Sequence, residues 1–294
     1  MKPAPFKYYA PTTVEEALAH LTEHGYDAKA LAGGQSLIPM MNFRLAQPSV
    51  LIDLNNIPDL FFIRAAEEGG LRLGAMTRHA QVERDPLIAE RAPLIFETMP
   101  KIATAQIRSR GTFGGSISHA DPSAELVAVS VVLDGLFRLR SQAGERWVPA
   151  REFFIGMFTT QLEPDELLTE IAFPPMQPRS GWALMEIARR PHDFALVGVA
   201  VVVNLDDENR CYNARIGLLS VGDGPVEANR AAEALIGQAP TSEPIKAAAE
   251  IAATEDIDPS SDIHASAGYR RQLVKVLTRR ALELAFERAS SIPS

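Results

Sequence analysis

The sequence predicts an α+β protein of two domains, and three observations carry that reading. At 294 residues the chain exceeds the size that one hydrophobic core usually serves, and 46% hydrophobic residues can fill more than one. Capped amphipathic helical stretches and strand–turn–strand runs both recur along the chain. The proline-rich stretch Pro174-Pro-Met-Gln-Pro-Arg-Ser-Gly181 then interrupts the pattern and marks a domain boundary near residue 176.

Taken in order, Thr13-Val-Glu-Glu16 is a capping box, and Val14, Ala17, Leu18 and Leu21 follow on one helical face until Gly25 stops the turn. Residues 29–31 read as a short buried strand. It runs into Gly33-Gly-Gln-Ser36 and an apolar Leu-Ile-Pro-Met-Met segment, with Ser36 placed to cap a helix that tolerates Pro39 in its first turn. Two glycines between a strand and a helical start leave N–H groups at a helix N-terminus, which suits a phosphate; a tight connection with no ligand is the plain alternative. Residues 50–53 form the next strand, and Pro58 closes this first unit.

From residue 60 the pattern changes. Residues 61–64 and 71–74 read as a hairpin across Glu67-Glu-Gly-Gly70, and Thr77 as the cap of a helix carrying His79, Val82 and Arg84, with His79 a solvated residue of no role. Residues 86–99 are helical with a break at Pro93; residues 136–139 and 146–148 make a second hairpin across Gln142-Ala-Gly144; residues 167–173 are a strand stopped by Pro174. After the boundary, residues 182–187, 195–205 and 210–219 are strands, the last two joined by Asp206-Asp-Glu-Asn209, which implies an antiparallel sheet. Helices at 226–236, 243–253 and 267–288 follow.

Composition excludes several functions. A formal charge of −8 without a Lys/Arg run argues against a nucleic-acid partner. A single cysteine, Cys211, read as a half-buried structural residue, cannot build a disulfide framework or ligate an iron–sulfur cluster on this chain. The N-terminus lacks an apolar segment and no run approaches the length of a membrane span, so a cytoplasmic location is expected, with peripheral membrane association not indicated. G-x-x-x-x-G-K-[ST], G-x-G-x-x-G at the first glycine pair and G-x-S-x-G are absent, which speaks against a Walker site, a Rossmann domain and a serine-hydrolase elbow.

The densest chemistry lies in Ile107-Arg-Ser-Arg-Gly-Thr-Phe-Gly-Gly-Ser-Ile-Ser-His-Ala-Asp-Pro-Ser-Ala-Glu-Leu126. Glycines in this density serve positive φ or close approach of another surface, and a turn of exposed N–H groups among small hydroxyls suits an anion. Arg108 and Arg110 could pair with phosphate or form surface salt bridges. His119, Asp121 and Glu125 lack a familiar metal-ligand spacing, and a carboxylate here could instead accept from sugar hydroxyls. Arg189-Arg-Pro-His-Asp-Phe194 is a polar loop between strands, in which Phe194 could pack against a planar ring.

Together Ala32-Gly-Gly-Gln-Ser36, Gln106-Ile-Arg-Ser-Arg-Gly-Thr-Phe-Gly-Gly-Ser116, Ala120-Asp-Pro-Ser-Ala-Glu-Leu126 and Arg189-Arg-Pro-His-Asp-Phe194 resemble the FAD-binding medium subunit of molybdenum hydroxylases, the group of aerobic carbon monoxide, nicotine and xanthine dehydrogenases. The resemblance implies a vanillyl-alcohol-oxidase-type (PCMH) fold. Residues 1–176 would form a two-subdomain FAD-binding domain, divided near residue 58, and residues 177–294 a C-terminal three-stranded antiparallel sheet with helices. It further implies FAD held by Ala32, Gly33, Gly34, Gln35, Ser36 and Leu37 and by Thr112, Phe113, Gly114, Gly115 and Ser116, the pyrophosphate being gripped through backbone N–H groups. Glu125 would stand near the adenosine, Leu168 near the adenine, and Arg190, Asp193 and Phe194 near the isoalloxazine. Phe194 stands where relatives often carry tyrosine, and Met185 where xanthine dehydrogenase has a lysine. No catalytic residue and no metal ligand are implied on this chain. Molybdopterin would reside on a large subunit and [2Fe–2S] clusters on a small one, in a dimer of heterotrimers. A stand-alone FAD oxidase or reductase of the same fold is the alternative.

Overall fold

The first unit forms because a capped helix can cover a small parallel sheet. In the computed structural model, which describes residues 2–291 and so leaves Met1 and residues 292–294 of the two expected domains outside, its elements are β1 (Lys7–Tyr9), α1 (Val14–His24), β2 (Ala28–Leu31), α2 (Leu37–Asn42) and β3 (Val50–Asp53). The Thr13 hydroxyl accepts from the Glu16 N–H at 3.2 Å, while the Glu16 carboxylate reaches back to the Thr12 N–H at 2.8 Å. Val14, Ala17, Leu18 and Leu21 are buried, packing with Ile52, Leu54, Ile57 and Leu60. The strands are parallel in the order β1-β3-β2. Strand β1 has no apolar alternation, which is why the sequence did not reveal it.

The middle unit is an antiparallel sheet covered by short helices. Its elements are β4 (Ile63–Ala65), β5 (Leu71–Gly74), α3 (His79–Val82), α4 (Pro86–Arg91), α5 (Pro93–Thr98), α6 (Ala105–Arg110), α7 (Phe113–His119), α8 (Glu125–Val132), β6 (Leu136–Ser141), β7 (Gly144–Pro149), α9 (Ala150–Phe153), β8 (Phe154–Gly156), β9 (Thr159–Thr160) and β10 (Leu167–Phe173). The sheet order β4-β5-β10-β6-β7 places the last strand in the centre. There Glu170 is buried and held by Arg64, Arg72 and Arg138 at 3.2–3.3 Å. Thr77 is not the expected cap: its hydroxyl donates to the Phe62 carbonyl, and Arg78 occupies the cap position of a helix only four residues long.

The third unit comprises β11 (Ser180–Ala188), β12 (Ala195–Leu205), β13 (Cys211–Leu219), β14 (Val226–Glu227), α10 (Asn229–Glu233), α11 (Ser242–Thr254) and α12 (Ala267–Ser291). The expected helix 226–236 begins instead as β14, a two-residue edge strand pairing with β13, so the sheet has four strands rather than three. Strand β12 reads Ala-Leu-Val-Gly-Val-Ala-Val-Val-Val-Asn-Leu because both of its faces are covered. Val197, Val199, Val201 and Val203 enter the core under α11 and α12, while Ala195, Ala200 and Val202 join the middle unit's core against α8. Helix α8 is accordingly apolar all round, every residue after Glu125 being buried. Arg288 of α12 closes the seam by donating to Glu97 at 2.9 Å and to the Trp182 carbonyl at 2.8 Å. No helix among the described residues is long and apolar enough to cross a membrane.

Candidate functional site

The two glycine segments, distant in sequence, lie against each other. A Cβ on Gly33 would stand 2.4 Å from the Arg110 carbonyl oxygen and 2.9 Å from the Gly111 Cα, and one on Gly115 would stand 3.4 Å from the Ala32 Cβ. Close approach, not positive φ, explains the second cluster. Gly111, Gly114 and Gly115 all have ordinary φ, and a Cβ on Gly114 would meet Ala75 at 2.5 Å. Gly34 alone in these segments needs the left-handed region, at φ +73°.

The two segments differ in what they can donate. Among the described residues, the backbone N–H groups of Gly33, Gly34, Gln35 and Ser36 make no hydrogen bond, and the Gln35 side-chain amide donates to the Gly33 carbonyl at 3.0 Å, closing the loop on itself. Ser36 sits at the N-cap of α2, but its side chain caps nothing. Opposite, the N–H groups of Phe113, Gly114, Gly115 and Ser116 are already engaged, by the Thr77 carbonyl at 3.0 Å, the Ala75 carbonyl at 2.8 Å, the Thr112 hydroxyl at 3.1 Å and the Thr112 carbonyl at 3.1 Å. The Phe113 ring is fully buried and meets Phe173 edge-on at 5.9 Å. What this side presents is the bare, half-buried backbone of Gly115 and the hydroxyl of Ser116. A pyrophosphate suits the pairing: four unspent donors lie in one segment, and the glycines of both allow close approach.

A polar brace, missed in the sequence because no motif announces it, locks the segments together. The Asn55 amide donates to the Ala32 carbonyl at 3.0 Å, and the Arg78 guanidinium donates to both the Asn55 side-chain oxygen and the Arg110 carbonyl. Asp53 orients Asn55 by accepting its backbone N–H at 2.9 Å, and Tyr8 donates its hydroxyl to Asp53 at 2.5 Å. Burial would raise the Asp53 carboxyl, but the hydrogen bonds from Tyr8 and Asn55 outweigh it and hold the group below the usual carboxylate range.

Two neighbours of the second segment behave differently from expectation. His79 is not solvated: it is 5% exposed, its ring lies under Gly111, and neither ring nitrogen has a hydrogen-bond partner. Burial pushes its pKa down to about 4 against the pull of the Thr112 backbone, with Arg108 and Arg78 adding to the depression. Arg108 is neither a free phosphate ligand nor a surface ion. It is buried, forks onto both Glu83 oxygens at 2.9 Å and donates to the Ile102 and Ala103 carbonyls.

The remaining expected residues lie outside the two glycine segments. Glu125 opens α8, where burial, aided by the charges of Glu186 and Asp121 and opposed by Lys101, raises its pKa to about 7. Glu186 on β11 is also raised by burial, and one of its oxygens is buried without a partner. Leu168 is buried in the middle core, so only its backbone can face a ligand. Arg190, Asp193 and Phe194 sit on the exposed β11–β12 loop, where the Asp193 side chain accepts the Phe194 N–H at 3.0 Å and the Phe194 ring is 68% exposed. Among the described residues this loop makes no hydrogen bond to either glycine segment. His119 packs against Phe158 at 5.0 Å, and Asp121 caps Ser123. Cys211 is fully buried rather than half-buried, and burial raises its thiol to about 11.

A helix-covered antiparallel sheet joined to a small parallel unit, with paired glycine loops at their junction, defines a flavin-type dinucleotide binder rather than a Rossmann protein. Residues 4–176 match the family model described as the FAD binding domain in molybdopterin dehydrogenase, and residues 182–285 match the CO dehydrogenase flavoprotein C-terminal domain. The chain is 40% identical over 289 residues to the 6-hydroxypseudooxynicotine dehydrogenase complex subunit alpha of Paenarthrobacter nicotinovorans, covering 98% of this chain and 97% of that one. It is 39% identical to the caffeine dehydrogenase subunit beta of a Pseudomonas species, with the same coverage. A solved carbon monoxide dehydrogenase from Hydrogenophaga pseudoflava superposes with a TM-score of 0.94 at 39% identity, over 98% of this chain and 99% of that one. This chain belongs to the FAD-binding medium-subunit family of molybdopterin dehydrogenases.

Proposed function

We propose that this chain is the electron-transfer subunit of a heterotrimeric molybdenum hydroxylase, receiving electrons from [2Fe–2S] clusters and passing them to an external acceptor. The observation that carries the reading is the row of unspent N–H donors at Gly33–Ser36 in a segment packed closely against the second glycine segment. FAD, when bound, supplies the redox chemistry that no side chain can. The protein's part is to bind and orient it: the Ala32–Leu37 segment donates to the pyrophosphate, while the Thr112–Ser116 segment lends close approach and the Ser116 hydroxyl. Glu125 serves the adenosine, the Leu168 backbone the adenine, and Arg190, Asp193 and Phe194 the isoalloxazine, where the exposed Phe194 ring gains burial by stacking. Residues 1–176 are the flavin-binding domain, divided near residue 58, and residues 177–294 the C-terminal domain.

The only cysteine, Cys211, is buried, so the clusters and the molybdopterin belong to an iron–sulfur small subunit and a large subunit, assembled in the cytoplasm as a dimer of heterotrimers. Substrate choice then lies on the large subunit. The names of the relatives favour an N-heterocycle or related organic compound at least as much as carbon monoxide.

Gentle purification followed by visible absorption and mass spectrometry tests the reading. One FAD per chain is expected, reduced by the complex's substrate only when the partner subunits are present. A preparation devoid of FAD overturns the flavin assignment; turnover of a small substrate by this chain alone overturns the subunit assignment.

A further inference from the structure

Helix α1 carries a second cluster that the flavin site leaves unused. His20 and His24 stand one turn apart on it, with Glu23 between them in sequence. The Glu23 carboxylate lies 3.9 Å from the Nδ1 of His20 and 3.8 Å from the Nε2 of His24, and one ligand atom from each of the three side chains falls within 4.8 Å of the others. Both of those ring nitrogens are buried and neither has a hydrogen-bond partner. A buried polar atom left unpaired costs free energy that a ligand recovers.

The rings are also held in place. His20 and His24 are parallel to within 5°, and Tyr9 of β1 stacks on the first at 4.1 Å and on the second at 5.6 Å. Glu23 is 65% exposed, leaving an approach from water. We propose that His20, Glu23 and His24 bind one divalent transition-metal ion of the zinc type. Two imidazole nitrogens and a carboxylate oxygen form a borderline donor set, suited to zinc or cobalt rather than to calcium or magnesium. Ligands at bond lengths of about 2.1 Å around a tetrahedral ion stand about 3.4 Å apart, so Glu23 closes by about half an ångström on each ring and the three ligand atoms, which lie within 4.8 Å of one another, draw together by up to about 1.4 Å. The fourth position is left to water. His24 is the last residue of α1, where the negative end of the helix dipole favours a cation. The site shares no residue with the glycine segments.

The test uses the FAD-loaded full chain, stripped of adventitious metal with chelator and titrated with cobalt(II) by visible absorption and with zinc(II) by calorimetry. One equivalent is expected to bind in the micromolar range, with the thermal midpoint rising as zinc is added. The double variant His20→Gln/His24→Gln should bind at least about tenfold more weakly and lose the zinc-dependent rise, while FAD content stays unchanged. Glu23→Gln, at an exposed position that does not endanger folding, should also weaken binding. Absence of binding by the wild type up to about 1 mM metal, or equal affinity in wild type and double variant, overturns the assignment.

Discussion

Replacing Gly33 by alanine should force the two glycine segments apart and release FAD. The new methyl carbon would stand 2.4 Å from the Arg110 carbonyl oxygen, where ordinary contact begins at 3.4 Å, a shortfall of about 1 Å. The obstacles are backbone atoms, so no side-chain rotation relieves them, and the Arg110 carbonyl is itself fixed by Arg78. Overpacking of this kind costs about 1–3 kcal/mol of stability. An N–H···O bond stretched by about 1 Å ceases to be one, and hydrogen bonds to a charged group contribute about 1.5–3 kcal/mol each. Losing one or two at the pyrophosphate weakens FAD by between about 10-fold and about 10⁴-fold. The flavin-to-protein absorbance ratio of the purified variant, and fluorescence titration of its apoprotein with FAD, measure the effect. Gly268→Ala is the control, since Gly268 lies in α12 with nothing within 4 Å of its would-be Cβ. If Gly33→Ala keeps one FAD per chain with an affinity within about threefold of wild type, the close approach of the loops is not what the cofactor needs.

Other outcomes follow from single buried groups. Glu125 has a folded-state pKa of about 7 against a free value of 4.5, so its contribution is fully present below about pH 4.5 and is lost as pH rises through 7. Glu125→Gln should therefore exceed wild type in apoprotein stability at pH 8 by up to roughly 3 kcal/mol and match it near pH 4.5; a gap independent of pH in urea unfolding would contradict this. His79, held near pKa 4, folds neutral; its contribution is whole above pH 6.5 and lost as pH falls toward 4. His79→Leu should be neutral or stabilising at pH 7 and gain about 2 kcal/mol over wild type at pH 5, and thermal melts showing large destabilisation at pH 7 would mean that the ring has a partner after all. Glu170→Ala leaves Arg64, Arg72 and Arg138 facing one another; because each keeps some water, the expected loss is about 3 kcal/mol, read as a lower urea midpoint with unchanged slope, and an unshifted midpoint would show the cluster to be idle.

Much of this molecule was legible because local rules and tertiary packing agree. Thr13, Glu16 and Gly25 delimit α1, Pro93 separates α4 from α5, and the Asp206–Asn209 turn joins β12 to β13 as the pattern requires. What escaped depends on contacts distant in sequence. Strand β1 exists only through pairing with β3, and β14 pairs with β13 where periodicity promised helix. His79 looks solvated beside Arg78, yet the chain folds Gly111 over it. The glycine segments were recognisable as a pair through the resemblance, but their division of labour was not: the donors at Gly33–Ser36 are free and those at Phe113–Ser116 spent because of Thr77, Ala75 and Thr112. Gly114, singled out for a ligand, faces Ala75, so a side chain there would disturb the core whether or not flavin binds.

Arg288 meets Glu97 across 191 residues of chain, and that separation orders the molecule's birth. During translation both glycine segments emerge before the first strand of the third unit exists, so the nascent protein can bring the two segments together early. Helix α8 is then also made, apolar on every side, while β12 and β13, which will cover it, are not yet synthesised. For that interval the growing chain exposes a face prone to aggregation, and only synthesis of α12 fastens the seam. Cofactor loading can thus precede closure of the third unit, and a ribosome stalled short of Arg288 would hold a formed flavin site in an unfastened protein.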